Sequence, residues 1–116
     1  MSGYTTFKLA AAAGVSVHVV RDYVIRGLVR PVRRTPGGYC LFDEQALELV
    51  RLLWALFEVG IGVDESAGLC RALDGGHATE CVTGLRTRIR VQRKRLVDLG
   101  RQLEELAQSD AARQHG

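Results

Sequence analysis

Residues 4–42 read YTTFKLAAAAGVSVHVVRDYVIRGLVRPVRRTPGGYCLF, and their reading decides the fold. Two short helices are expected to meet at Gly14. Thr5 can cap the first, with Tyr4 and Leu9 spaced as a hydrophobic staple; Ser16 can cap the second, with Val15 and Val20 in the same relation. Gly14 suits a turn that needs positive φ. Gly27 suits the position just past the second helix. Ala10, Gly14 and Val20 have the small, turn and apolar spacing that lets two helices cross closely. Pro31 and Thr35-Pro36-Gly37-Gly38 then punctuate a hairpin from Val29 to Phe42, in which Tyr39 to Phe42 alternate as a strand would. This is the pattern of a helix-turn-helix followed by a wing.

Charge supports that reading. Residues 1–42 carry six bases (Lys8, Arg21, Arg26, Arg30, Arg33, Arg34) against one acid, Asp22. Residues 43–74 invert the balance, with Arg51 and Arg71 against seven acids. A net positive N-terminal block is the electrostatic footprint of a phosphate-facing surface, and the acidic block must face away from it. A small cationic winged helix-turn-helix has one common use, which is binding duplex DNA.

The acidic block reads as a helix pair over 44–73. Asp43 can cap a helix from Glu44 to about Glu58 whose apolar face is Leu47, Val50, Leu53, Trp54 and Phe57. Gly60-Ile61-Gly62 breaks it. Asp64 can cap a second helix to about Leu73, before Asp74-Gly75-Gly76.

Downstream, Val82, Leu85, Ile89, Gln92, Leu96, Leu99, Leu103 and Leu106 recur at alternating spacings of three and four. That is a heptad seam with one polar d position, Gln92. Roughly 30 helical residues over 78–108 span about 45 Å, and one apolar seam of that length needs a partner. A coiled-coil homodimer is therefore expected. Arg86, Arg88, Arg90, Arg93, Lys94 and Arg95 lie in the first half, with Glu104, Glu105 and Asp110 at the far end. An antiparallel pairing brings basic half to acidic end, whereas a parallel one sets Arg88 beside Arg93 of the other copy. Gly84 and Gly100 weaken the helix or permit close approach. Residues 109–116 read as a flexible tail.

The expected architecture is thus mainly helical: a winged helix-turn-helix domain over 3–74 (helix-turn-helix about 5–26, wing about 29–42), then an antiparallel coiled-coil helix. Three widely spaced cysteines make no disulfide framework, and neither a signal peptide nor a membrane span is visible, so the cytoplasm is the expected compartment. No enzyme constellation appears: there is no nucleophile–base set, no phosphate-cradling loop and no paired catalytic carboxylates. No metal site and no cofactor are expected.

The order of these elements resembles the MerR family of bacterial transcription regulators. The resemblance rests on Tyr4-Thr5, Leu9-Ala10, Gly14-Val15, Arg21-x-Tyr23, Gly27-Leu28, Gly37-Gly38-Tyr39 and the stretch from Phe57 to Gly60 before Ile61. Within the family, VSVHVVRDY, TPGGYxLFD, FEVGIGVDE and LCRALD are similar to the co-regulators of mercury-resistance operons. The resemblance implies contacts to double-stranded operator DNA from Arg21, Tyr23 and Tyr39, and by extension from Thr5, Lys8, Val17, His18, Arg33 and Arg34. It also implies a homodimer, with the operon's primary activator and RNA polymerase as further partners.

Departures from the family pattern matter as much. Where relatives carry an arginine after the wing's Gly-Tyr, this chain has Cys40, and Asp22 sets a negative charge beside Arg21. Both changes should weaken operator binding. Mercury-sensing relatives use a cysteine at the start of the dimerisation helix and two more after it. Here Ala78 takes the first position, and no cysteine follows Cys81, so a shared three-thiolate site lacks its ligands. His18 and His77 read as surface and helix-end residues. The resemblance thus implies a co-regulator that binds the operator of a mercury-resistance operon and lowers its expression, opposing the primary activator. Two alternatives are a metal-responsive activator of the same fold and a heterodimerising antagonist with little DNA binding of its own.

Overall fold

The computed structural model describes residues 3–115. Contacts divide the chain after Asp74 into two units. The first contains a three-stranded antiparallel sheet and four helices: β1 (Tyr4–Thr5), α1 (Thr6–Ala13), α2 (Val17–Ile25), β2 (Arg33–Arg34), β3 (Cys40–Phe42), α3 (Glu44–Glu58) and α4 (Val63–Asp74). The second is one helix, α5 (Thr79–His115).

Local signals place the helix ends. Thr5 caps α1 by accepting from the Lys8 N–H at 3.2 Å, Ser16 caps α2 from Val19, and Asp43 caps α3 from Ala46 at 2.9 Å. Each side-chain oxygen satisfies one of the donors a helix start leaves over. The helix exits are equally regular. Gly14 and Gly27 take φ of 72° and 74°. The following residue in each case donates back into the last turn, Val15 to the Ala10 carbonyl and Leu28 to that of Tyr23. A side chain at either glycine would sit in the left-handed region, which costs little only without a Cβ. Arg51 of α3 donates to the Ala12 carbonyl at 3.1 Å, adding a cation at the C-terminal end of α1.

In the sheet β3 is central. β1 pairs with it through Tyr4–Phe42 and Thr5–Leu41, and β2 through Arg33–Leu41 and Arg34–Cys40. The sheet ties the wing to the start of α1. Beneath it lies one core, in which Leu9, Val20, Val29, Phe42, Val50 and Leu53 are fully buried. Ile61 closes the turn after α3 and is also fully buried. The Tyr4 hydroxyl donates to Glu44 Oε1 at 2.5 Å, linking β1 to the first turn of α3.

Several details differ from expectation. The buried face of α3 is Ala46, Leu47, Val50, Leu53 and Leu56. Trp54 is half-buried and Phe57 exposed, and their rings stack at 5.2 Å on the flank. The apolar stripe of α3 is wider than its partners can cover, and they cover the edge containing Leu56. Asp64 does not cap α4; the helix starts a residue earlier, at Val63, and Asp64 joins Glu65 in its first turn, where carboxylates complement the helix dipole.

α5 carries no core of its own. Leu96 and Leu106 are 67% and 66% exposed, and Val82, Ile89, Leu99 and Leu103 are exposed with them. The helix does not stop at 108 but runs through His115; residue 116 of the expected tail lies outside the described residues. Ala111 and Ala112 favour helix, Gln114 bonds Asp110 at 3.5 Å, and no glycine or proline intervenes. Among the described residues, no helix is long and apolar enough to cross a membrane.

Candidate nucleic-acid interface

The first turn of α1, the first turn of α2 and the tip of the wing surround an open hollow. Thr5, Thr6, Phe7, Val17, Arg21 and Tyr39 line it. Val17 and Arg21 are one turn apart, so α2 shows both to the same side. Tyr39 is held at the wing tip by two local hydrogen bonds. Its N–H donates to Thr35 Oγ1 at 3.1 Å, and its carbonyl accepts from the Thr35 N–H at 2.8 Å. Four residues singled out from the sequence, Thr5, Val17, Arg21 and Tyr39, are thus brought together. Lys8 lies exposed on the next part of α1, and Arg33 and Arg34 lie exposed on β2, the outer strand.

The six basic residues of 1–42 fall into two groups. Arg26 pairs with Asp22 at 2.9 Å, and Arg30 with Asp74 at 3.2 Å. No carboxylate lies within ion-pair distance of Lys8, Arg21, Arg33 or Arg34 among the described residues. Within residues 1–42, the four basic residues without a carboxylate partner are thus all among the candidate DNA-contacting residues. The Asp22 carboxylate, the one acid beside Arg21 on α2, is engaged by Arg26 one helical turn on. Exposed pairs of this kind stabilise a helix by a few tenths of a kcal/mol.

Two further positions differ from expectation. Tyr23 is only 4% exposed, because it follows Val20 on the inner face of α2; its ring belongs to the core, and burial raises its hydroxyl pKa above the usual 10.0, with the Asp22 charge adding to the shift. His18 is exposed but turned away from Arg21, lining a separate hollow with Val19, Asp22, Tyr23, Trp54, Phe57 and Val63. Cys40, by contrast, is half-buried as its small, weakly polar side chain leads one to expect, and it packs against the core, sharing the inward side of β3 with Phe42. The residue missed by sequence reading is Phe7. Its signal was an aromatic side chain off the Leu9–Ala10 stripe of α1, where nothing in the core needs it.

The family model for MerR HTH regulatory proteins matches residues 4–73. The chain belongs to the MerR family. It is 52% identical to the HTH-type transcriptional regulator MerD of Acinetobacter calcoaceticus, over 89% of this chain and 88% of that protein. It is 45% identical to MerD of Shigella flexneri, over 99% and 96%. Identity to the mercuric resistance operon regulatory protein of Shigella flexneri is 31%, over 79% and 64%. Among solved structures, HiNmlR, a MerR-family regulator lacking the sensor domain and bound to promoter DNA, superposes with a TM-score of 0.76 at 24% identity, covering 87% of this chain and 78% of its own. MerR-family proteins are transcriptional regulators rather than enzymes, and the hollow around Arg21 lies within the matched segment.

Among the described residues, no group of three His, Cys, Asp or Glu side chains is placed to hold a metal ion. Cys70 is buried in α4, and burial raises its thiol pKa above the usual 9.0. A thiol held protonated is a weaker soft-metal ligand than a thiolate.

Proposed function

We propose that this protein is a co-regulator of a mercury-resistance operon, which binds operator DNA as a homodimer and lowers expression by opposing the primary activator. The observation that carries the DNA-binding part is the meeting of α1, α2 and the wing around Arg21, on a surface whose uncompensated charges are all positive. In the proposed complex α2 enters the major groove, Arg21 reaches a base edge or phosphate, and Lys8, Arg33 and Arg34 hold the flanking backbone. Dimerisation belongs to α5, whose exposed seam would pair antiparallel with a second copy. The operon assignment rests on similarity to MerD, which is greater than that to the mercuric resistance operon regulatory protein; the lowering of expression is part of the proposal.

The test is a fluorescence titration of a labelled mercury-resistance operator with the full chain, alone and with the primary activator already bound. Expected are saturable binding alone and a change in the activator's occupancy or in its promoter complex when both are present, with transcription from the promoter reduced. Because Ala78 and Cys81 do not complete a three-thiolate site, mercuric ion in a competing small-thiol buffer should leave operator affinity unchanged. Cys81→Ser should likewise leave it unchanged. A mercury effect that survives the thiol buffer and disappears in Cys81→Ser would establish a sensor instead. Reduced transcription without detectable binding of the chain alone would favour the heterodimerising antagonist.

A further inference from the structure

The face that carries Arg21 also carries apolar surface that phosphate binding does not explain. Phe7 is 74% exposed and Tyr39 72%. Both line the hollow that contains Val17 and Arg21. Phe7 does no packing work for α1, whose buried side chains are Leu9 and Ala10. Single exposed apolar residues are ordinary, but two exposed aromatic rings from α1 and the wing, set with the half-buried Val17 of α2 around one arginine, form a surface with a purpose.

We infer that Phe7, Val17 and Tyr39 form an apolar collar around Arg21 that the DNA surface closes, so that the Arg21 contact is made with water excluded. This rests on the DNA-binding reading above. The occupant must be anionic, since Arg21 lines the hollow and Lys8, Arg33 and Arg34 are exposed on α1 and the wing strand beside it, none with a carboxylate partner. It must also offer apolar groups beside its charges. Duplex DNA does both, presenting deoxyribose and thymine methyl groups next to its phosphates. A guanidinium that meets its acceptor in a desolvated compartment gains more from the charge-assisted hydrogen bond than one left in water. Phe7 is thus a positioning residue that acts through Arg21, not an additional phosphate contact.

The collar predicts a pattern that an ordinary contact or a structural residue would not give. Operator titrations across a range of salt concentrations compare wild type, Phe7→Ala, Arg21→Ala and the double variant. Phe7→Ala should weaken binding about tenfold, equivalent to 1.4 kcal/mol. Its plot of log affinity against log salt should keep the wild-type slope, because no phosphate contact is lost. Arg21→Ala should lower the slope by about one unit if it meets phosphate, and should weaken binding in either case. In the double variant the loss should be clearly smaller than the product of the two single losses, since without Arg21 the collar has nothing to shield. Phe7→Leu should retain most of the affinity, and Tyr39→Ala should show the same coupling to Arg21 from the opposite wall. Losses that multiply, or Phe7→Ala within twofold of wild type, would overturn the collar while leaving DNA binding intact. Failure of wild type to bind any operator duplex would overturn the DNA reading and the collar with it.

Discussion

The two units use the same apolar side chains in opposite ways. Up to Asp74, leucines, valines and Phe42 close on one another, so that Leu9, Val50 and Leu53 are withdrawn from water within one chain. In α5, leucines at heptad spacing remain at the surface, with Leu96 and Leu106 about two-thirds exposed. The difference lies in sequence period and connectivity. Short helices broken at Gly14, Gly27 and Gly60 can fold back on one another. A helix of 37 residues, about 55 Å long, has no other element in its own unit to lie against. The first unit should therefore owe its stability to its own core, and α5 should owe its stability to a second copy.

The largest expected effect comes from putting charge into the seam. In a dimer Leu99→Asp would bury an uncompensated carboxylate from each chain, at about 3–5 kcal/mol apiece. Sedimentation should show monomer, operator binding should fall, and the first unit should keep its unfolding midpoint. A stable dimer would show that the seam is not the interface. The converse substitution, Leu53→Ala, should destabilise the first unit by about 2–5 kcal/mol in urea titration and leave self-association of the folded chain unchanged. Next comes Arg21→Ala, which should weaken operator binding by about 1–3 kcal/mol without altering either dimerisation or thermal stability. A loss below a few tenths of a kcal/mol would remove Arg21 from the interface.

The smallest effect is a pH dependence confined to the first unit. Burial raises the Cys70 and Tyr23 pKa values, and the hydrogen bond to Glu44 is the main cause of the upward shift at Tyr4. In each case the folded state holds the proton more tightly than the unfolded chain. The associated stability is fully present below the ordinary values of 9.0 for Cys70 and 10.0 for the tyrosines, and is lost as pH rises through the raised ones. The urea midpoint should be flat near neutrality and should decline above pH 9, with the earliest part of the decline absent in Cys70→Ala. A midpoint independent of alkaline pH would contradict these shifts.

Features governed by a few neighbouring residues were legible in the sequence. Thr5, Ser16 and Asp43 cap helices because a side-chain oxygen and an amide three residues on are enough to define the motif. Gly14 and Gly27 stop helices for equally local reasons. Longer-range features were not legible. β1 exists only through its register with β3, which no window around Tyr4 contains. Trp54 and Phe57 share the apolar face of α3 in sequence, but which edge is buried depends on what packs there. Tyr23 followed the family's contact pattern, while the period of α2 placed it beside Val20 in the core. The Asp22–Arg26 pair is readable at its four-residue spacing on α2. The heptad pattern identified α5 but not its end, because terminal helix without a stop residue carries little signal.

Sedimentation of the chain with a labelled operator duplex tests the division of labour most directly. Wild type should give two chains per duplex, and that complex should be lost at the same concentration in both Leu99→Asp and Arg21→Ala, with Arg21→Ala still dimeric in the absence of DNA. A wild-type complex of one chain per duplex, or an unchanged two-chain complex formed by Leu99→Asp, would contradict it.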